Sequence, residues 1–224
     1  MLAEDVEDGG RLVELVLLPG RDRCSEPLRQ LSRTAPRIVH PVIARLHSSM
    51  LGERVSVLVF RAPTGDPLSE TIAQKALSPA DVVAVGVSLV SALQVAHRCQ
   101  MLDNDLSPQT IWLDSAGRLQ WTGLGMGWLM AEEAGCRGAS SSLWGYLPPR
   151  PGPREPSDDT YALGVLLLSL VTGASPPTTF GERVRYPTSA EVPQRLRRAL
   201  QAALSGTTSQ PRRLGALLSQ ALAQ

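Results

Sequence analysis

Lysine is nearly missing from this chain: Lys75 is the single one among 22 basic residues in a sequence of 224. Chemistry that calls for a lysine therefore has one candidate. Cysteine is also sparse, and Cys24, Cys99 and Cys136 show neither metal-ligand nor redox spacing, which fits a reducing cytoplasm. No apolar run reaches the roughly 20 residues that a bilayer crossing needs. The longest, Ala162 to Val171, reads as a buried core helix, so no membrane partner is expected. Where a positively charged leader would stand are Glu4, Asp5, Glu7 and Asp8, and none is expected. There is no internal repeat or low-complexity linker.

What the chain does have is an uneven spread of charge. Net charge is only +1, too balanced for nucleic-acid binding to be read from the total. Yet residues 1–26 carry seven acids against three arginines, residues 27–48 carry arginines and no acids, and residues 181–224 carry seven arginines against two acids. This end-to-end polarity is either a solvated surface or a means of docking on a partner or a second copy. A hydrophobic fraction of 43% is enough for a folded core without disulfides or metal.

Local patterns divide the chain in two. "RLVELVLL" reads as a strand closed by a Pro-Gly turn, with too little chain before it for a covering hairpin. "SEPLRQLSR" reads as a short helix capped by Ser25, and "HPVIARLH" and "RVSVLVFRA" as two strands joined in a hairpin through "SSMLGE". From Ala62 to Pro67 the pattern changes. "SPADVVAVGVSLVSALQVAHR" has Ser78 as cap, Pro79 at the first helical position and apolar residues every three or four positions. "TIWL" and "RLQWT" are two strands around the turn "DSAG". "DDTYALGVLLLSLVTG" is a core helix, and "SAEVPQRLRRALQAAL" and "RLGALLSQALAQ" are amphipathic helices. The expected fold class is α+β, with a strand-rich part over residues 1–63 and a helical part over 64–224.

The order and spacing of these segments resemble the eukaryotic-type Ser/Thr protein kinase fold. "HPVIARLH" is similar to the His-Pro turn before the fourth strand, "LVFRAPTGDPLSETI" to the fifth strand and hinge, and "SALQVAHRCQMLDNDLSPQT" to the long helix running into the catalytic loop. "TIWLDSAGRLQWTGLG" is similar to the strand pair leading to D-F-G, "SSLWGYLPPR" to the end of the activation segment, and "DDTYALGVLLLSLVTG" to the central C-lobe helix. The resemblance implies a bilobal domain with a truncated N-lobe and a helical C-lobe.

It also implies which positions carried phosphoryl transfer: a glycine loop, a lysine held by a glutamate, two metal-binding residues and a catalytic base. Here the glycine loop is missing. Leu15 or Val16 falls at the lysine position and Gln30 or Leu31 at that of its glutamate. Thr110 replaces the metal-binding asparagine and Gly123 the D-F-G aspartate. Asp105 is the one remnant, either at the base position or as a cap on its own loop. Trp112 is expected to fill the adenine slot or to pack in the hairpin core. Met126, Trp128, Leu129 and Met130 form either an apolar plug or a partner-binding patch. The resemblance makes His97 and Asp159 structural, and it leaves Arg150 and Gln210 where a buried ion pair would stand.

The expectation is therefore a pseudokinase: not an enzyme, with no cofactor and no metal, acting in the cytoplasm as a protein-binding scaffold or allosteric regulator. Self-association is a further option, and nucleic acid is not the expected partner. Two alternatives stay open. One is a divergent phosphoryl- or nucleotidyl-transferase using Asp105, with Asp103 beside it as a metal ligand. The other is a phosphopeptide or nucleic-acid contact made by the arginine-rich tail through Arg195, Arg197 and Arg198.

Overall fold

A computed structural model of the chain describes residues 1–5, 11–19, 26–74, 76–102, 106–127, 129, 145–148, 155–176, 192–206 and 210–222. The first sheet is antiparallel, in the order β1 (Leu2–Asp5), β2 (Arg11–Pro19), β4 (Val55–Arg61), β3 (Leu46–Met50). Between β2 and β3 lie helix α1 (Glu26–Thr34) and a 3-10 turn, Ala35–Arg37. The second sheet joins β5 (Asp66–Pro67), β6 (Ile111–Leu113) and β7 (Leu119–Trp121). The helices that follow β5 are α2 (Leu68–Gln74), α3 (Pro79–Arg98), α4 (Pro156–Thr172), α5 (Gln194–Leu204) and α6 (Pro211–Leu222).

Alternation along β2 and β4 decides how the first sheet faces the core. Val16 pairs with Leu58, Leu18 with Ser56 and Glu14 with Phe60, and this row holds the buried side chains Leu18, Leu58 and Phe60. Leu17, on the opposite row, is 52% exposed. Two expectations change here. A strand does precede β2: Leu2–Asp5 pairs with it, Leu2 opposite Glu14 and Asp5 opposite Arg11. The other change concerns "HPVIARLH", which is not a hairpin strand. Strand β3 begins at Leu46 and runs through the serines that read as its turn, with a register shift between Leu46 and Ser48.

Residues 42–44 are held elsewhere. The Trp121 N–H donates to the Val42 carbonyl at 2.6 Å, and the Ala44 N–H donates to the Trp121 carbonyl at 2.8 Å. These bonds couple the segment feeding the first sheet to β7 of the second, over the fully buried Trp121 ring. His40 fixes the same segment to α3: the Val42 N–H donates to His40 Nδ1 at 3.2 Å, and His40 Nε2 lies 3.1 Å from Ser91 Oγ. With Nδ1 accepting, the ring proton sits on Nε2 and donates to the serine.

The helices follow their caps. The Ser78 hydroxyl accepts the Asp81 N–H at 3.2 Å and donates to Asp81 Oδ2 at 2.6 Å, with Pro79 opening α3. A reciprocal box between Glu155 and Asp158 starts α4, which ends at Gly173 with an N–H to the Ser169 carbonyl. Helix α3 is long and apolar enough by length and composition to cross a membrane. Its apolar residues Val82, Val83, Leu89, Val90 and Leu93 are instead buried in the core. Gly86 lets it approach two neighbours at once: a Cβ there would lie 2.8 Å from Leu218 Cδ1 of α6 and 2.9 Å from Leu167 Cδ1 of α4. Each fully buried leucine contributes about 1.5–3 kcal/mol to this packing. The architecture is mixed helix and sheet, as expected for the α+β class.

Partial burial lowers the His40 pKa below its ordinary 6.5. The neutral ring is favoured in the folded state, so this stabilisation is complete above 6.5 and is lost as the pH falls and the unfolded chain takes up the proton first. The melting temperature of His40→Asn, which keeps an acceptor for the Val42 N–H, should fall less between about pH 7.5 and about pH 5.5 than that of the parent. Identical slopes in thermal melts would refute the assignment.

Candidate functional site

The residues singled out by the sequence lie on β2, on α1, at the end of α3 and around the β6–β7 pair with the bend that follows it. On β2 the inward residue is Val16, which packs against the core, while Leu15 is on the other row. On α1 the inward residue is Leu31, fully buried, whereas Gln30 is exposed. An aliphatic pair thus stands where a lysine and its glutamate were sought.

The bend after β7 explains why Leu31 suits this place. Gly123 has φ +70 and Gly125 φ +83. A Cβ on Gly125 would come within 2.7 Å of Met101 Sδ and 2.8 Å of Leu31 Cδ1. The bend is therefore pressed between α1 and the residues after α3, a contact only glycine permits in that left-handed conformation. Its chain continues as a helical turn: the Met126 N–H donates to the Gly123 carbonyl and the Leu129 N–H to the Gly125 carbonyl. Leu129 is fully buried and Met126 packs against the core, as the plug reading expects. Trp128 and Met130 lie outside the described residues, as do Asp103, Asn104, Asp105 and Arg150.

Thr110 closes its own turn. Its hydroxyl donates to the Ser107 carbonyl at 3.0 Å and accepts the Ser107 N–H at 3.3 Å. The Thr110 carbonyl receives both the N–H and the hydroxyl of Thr122, at 2.8 and 3.2 Å. This turn is also tied to α2, whose Ser69 N–H donates to the Pro108 carbonyl at 3.0 Å. Ser107 Oγ is buried with no hydrogen-bond partner among the described residues. Among the described residues no group of three or more His, Cys, Asp or Glu side chains could hold a metal.

Sequence reasoning missed Gln120. It pairs with Trp112 across β6–β7, and Trp112 pairs with Pro67 on its other side, so all three share one face of the second sheet. Trp112 is half-buried there. The Gln120 amide reaches the linker between the sheets: Nε2 donates to the Ala62 carbonyl and Oε1 accepts the Thr64 N–H, each at 3.2 Å. The Ala62 N–H donates to the Leu12 carbonyl at 3.4 Å. The polar edge of the linker is thus occupied from within the chain. The available signal was a lone amide in "RLQWT", opposite an indole.

His97 and Asp159, each expected to be structural, meet each other. His97 Nε2 lies 2.8 Å from Asp159 Oδ2, and the carboxylate side chain is fully buried. Tyr161 and Leu163 continue α4 into the core, and a Cβ at Gly164 would meet Ala203 of α5 at 2.7 Å. Tyr146, on the short described stretch before α4, is buried, which raises its pKa far above the usual phenol range.

No family model matches the chain. Its relatives among curated proteins are Ser/Thr protein kinases. It is 28% identical over 155 residues to the kinase PrkC of Bacillus subtilis, covering 66% of this chain and 24% of that protein. It is 29% identical over 177 residues to the calcium/calmodulin-dependent protein kinase type II alpha chain of Drosophila melanogaster, covering 76% and 33%. To PknL of Mycobacterium tuberculosis it is 27% identical over 154 residues, covering 66% and 38%. The chain thus spans a quarter to two-fifths of the length of these relatives, and the similarity supports a kinase-like fold. It also corrects one expectation. That the chain is not an enzyme is overturned by several kinase relatives, which point to a kinase enzyme at low identity and over part of their length.

Replacing His97 by alanine removes a partner from a buried carboxylate and should lower stability by about 1–3 kcal/mol in urea unfolding. Unchanged stability would show that the pair has no structural role.

Proposed function

We propose that this kinase-like domain works in the cytoplasm as a protein-binding scaffold or allosteric regulator, with its strand-rich part over residues 1–63 and its helical part over residues 64–224. The single observation that carries the reading is the apolar contact of Gly125 with Leu31 and Met101. Phosphoryl transfer requires cations and metal at the developing charge, and a charge buried in an apolar contact without a partner is strongly disfavoured. Val16 and Leu31 pack in the core, and Thr110 turns its hydroxyl to its own backbone. Trp112 and Gln120 support the same view, since the linker edge beside them already has its donors and acceptors matched.

The kinase relatives favour a second reading, phosphoryl or nucleotidyl transfer by a divergent route in which Asp105 acts as base. The two readings differ in one measurement. In the scaffold reading, Mg·ATP in excess leaves the melting temperature of the chain unchanged, because a ligand that binds the folded state must raise it. In the transfer reading, Mg·ATP raises it, and labelled phosphate or nucleotide is incorporated into protein and lost in Asp105→Ala. That second result would replace the first reading.

A further inference from the structure

A pocket of about 550 Å³ opens where the end of α3 meets the starts of α4 and α6. Its charged lining among the described residues is of one sign: Arg98 from α3 and Arg212 from α6. Both arginines are exposed, and neither has an ion-pair or hydrogen-bond partner among the described residues. The ring of His97 forms part of the wall, with its Nε2 held by Asp159 behind it. That carboxylate is fully buried and does not reach the pocket surface. The other acids near α4, Glu155 and Asp158, are bound in its capping box.

The arginines of the C-terminal tail are placed differently. Arg195 donates to the Gln220 carbonyl at 2.8 Å, joining α5 to α6, and Arg197 donates to the Val192 carbonyl at 3.2 Å, just before the start of its own helix. On the wall of this pocket, the cations free to receive an outside anion are Arg98 and Arg212.

Two further features narrow the ligand. Pro156 and Pro211 carry no N–H, and the side-chain donors of these walls are two guanidinium forks and the amides of Gln94 and Gln210. A guanidinium fork matches two oxygens of a phosphate at once. The volume falls in the range of sites that enclose a whole small ligand, far more than a bare phosphate fills. We propose that this pocket binds a phosphorylated side chain of a partner polypeptide, with Arg98 and Arg212 on the phosphate and Gln94 and Gln210 on the flanking backbone. The inference rests on the protein-binding reading above and gives that binding a chemistry and a place.

Calorimetric titration of the full chain tests it, using the capped peptide Ala-Ala-phosphoserine-Ala-Ala, its unphosphorylated form and inorganic phosphate. The phosphopeptide should bind at least about tenfold more tightly than either comparison. Arg98→Gln and Arg212→Gln should each weaken it by at least about tenfold, or roughly 1.4 kcal/mol. Arg198→Gln, on exposed α5 surface outside the pocket, should leave binding unchanged. Arg98→Lys and Arg212→Lys retain charge but lose the fork, and they should also weaken binding if a glutamine variant melts early. The proposal is overturned if the phosphopeptide does not bind, if inorganic phosphate binds as tightly, or if binding survives in the arginine variants. None of these outcomes bears on the Mg·ATP measurement, which reports on a different part of the molecule.

Discussion

Two backbone hydrogen bonds, from Trp121 to Val42 and from Ala44 to Trp121, are the joint on which the arrangement depends. They cross from the segment feeding the first sheet to the last strand of the second, and they do so around a tryptophan with no exposed surface. Backbone groups sealed from water must find partners, and here each segment supplies the other's. The joint fixes where β7 ends, and so where the glycine bend after it meets α1. His40 secures the same stretch to α3, which brings sheet, linker and core helix into one register.

Beside this joint the bend after β7 is packed by apolar atoms: a Cβ on Gly125 would lie 2.7 Å from Met101 Sδ and 2.8 Å from Leu31 Cδ1, which leaves no room for a solvated ion pair between α1 and the bend. The linker follows the same logic through a polar route. Gln120 offers one donor and one acceptor, and Ala62 and Thr64 present their complements. Kinase relatives at 27–29% identity support a kinase-like fold for the chain that makes these contacts.

Much of this was legible from residue order. Ser78-Pro79 announced α3 because a hydroxyl cap and a preset φ are local physics, and the long apolar run of α4 could only be core. His97 and Asp159 were singled out one by one through family resemblance, and their contact was not foreseen, since no local pattern links residues 62 positions apart. The strand β3 was misjudged because Val42 and Ile43 are apolar for a tertiary reason, contact with Trp121, and not because they alternate in a hairpin. Strand β1 was missed because its four residues leave no buried side chain, so no periodic signal exists. Gln120 went unnoticed because its meaning lies in a linker some 58 residues earlier. Asp105, the most discussed acid of the sequence, lies outside the described residues.

The closeness of α3 to α6 has a consequence for how the polypeptide is made. Leu218 seats against Gly86, and Val90 against Gly215, so the face of α3 is finished by residues synthesised more than a hundred positions later. Until they leave the ribosome, α4 alone among these neighbours can cover this face of α3, and part of an apolar helix stays bare. The nascent chain therefore carries aggregation-prone surface until its last helices are made.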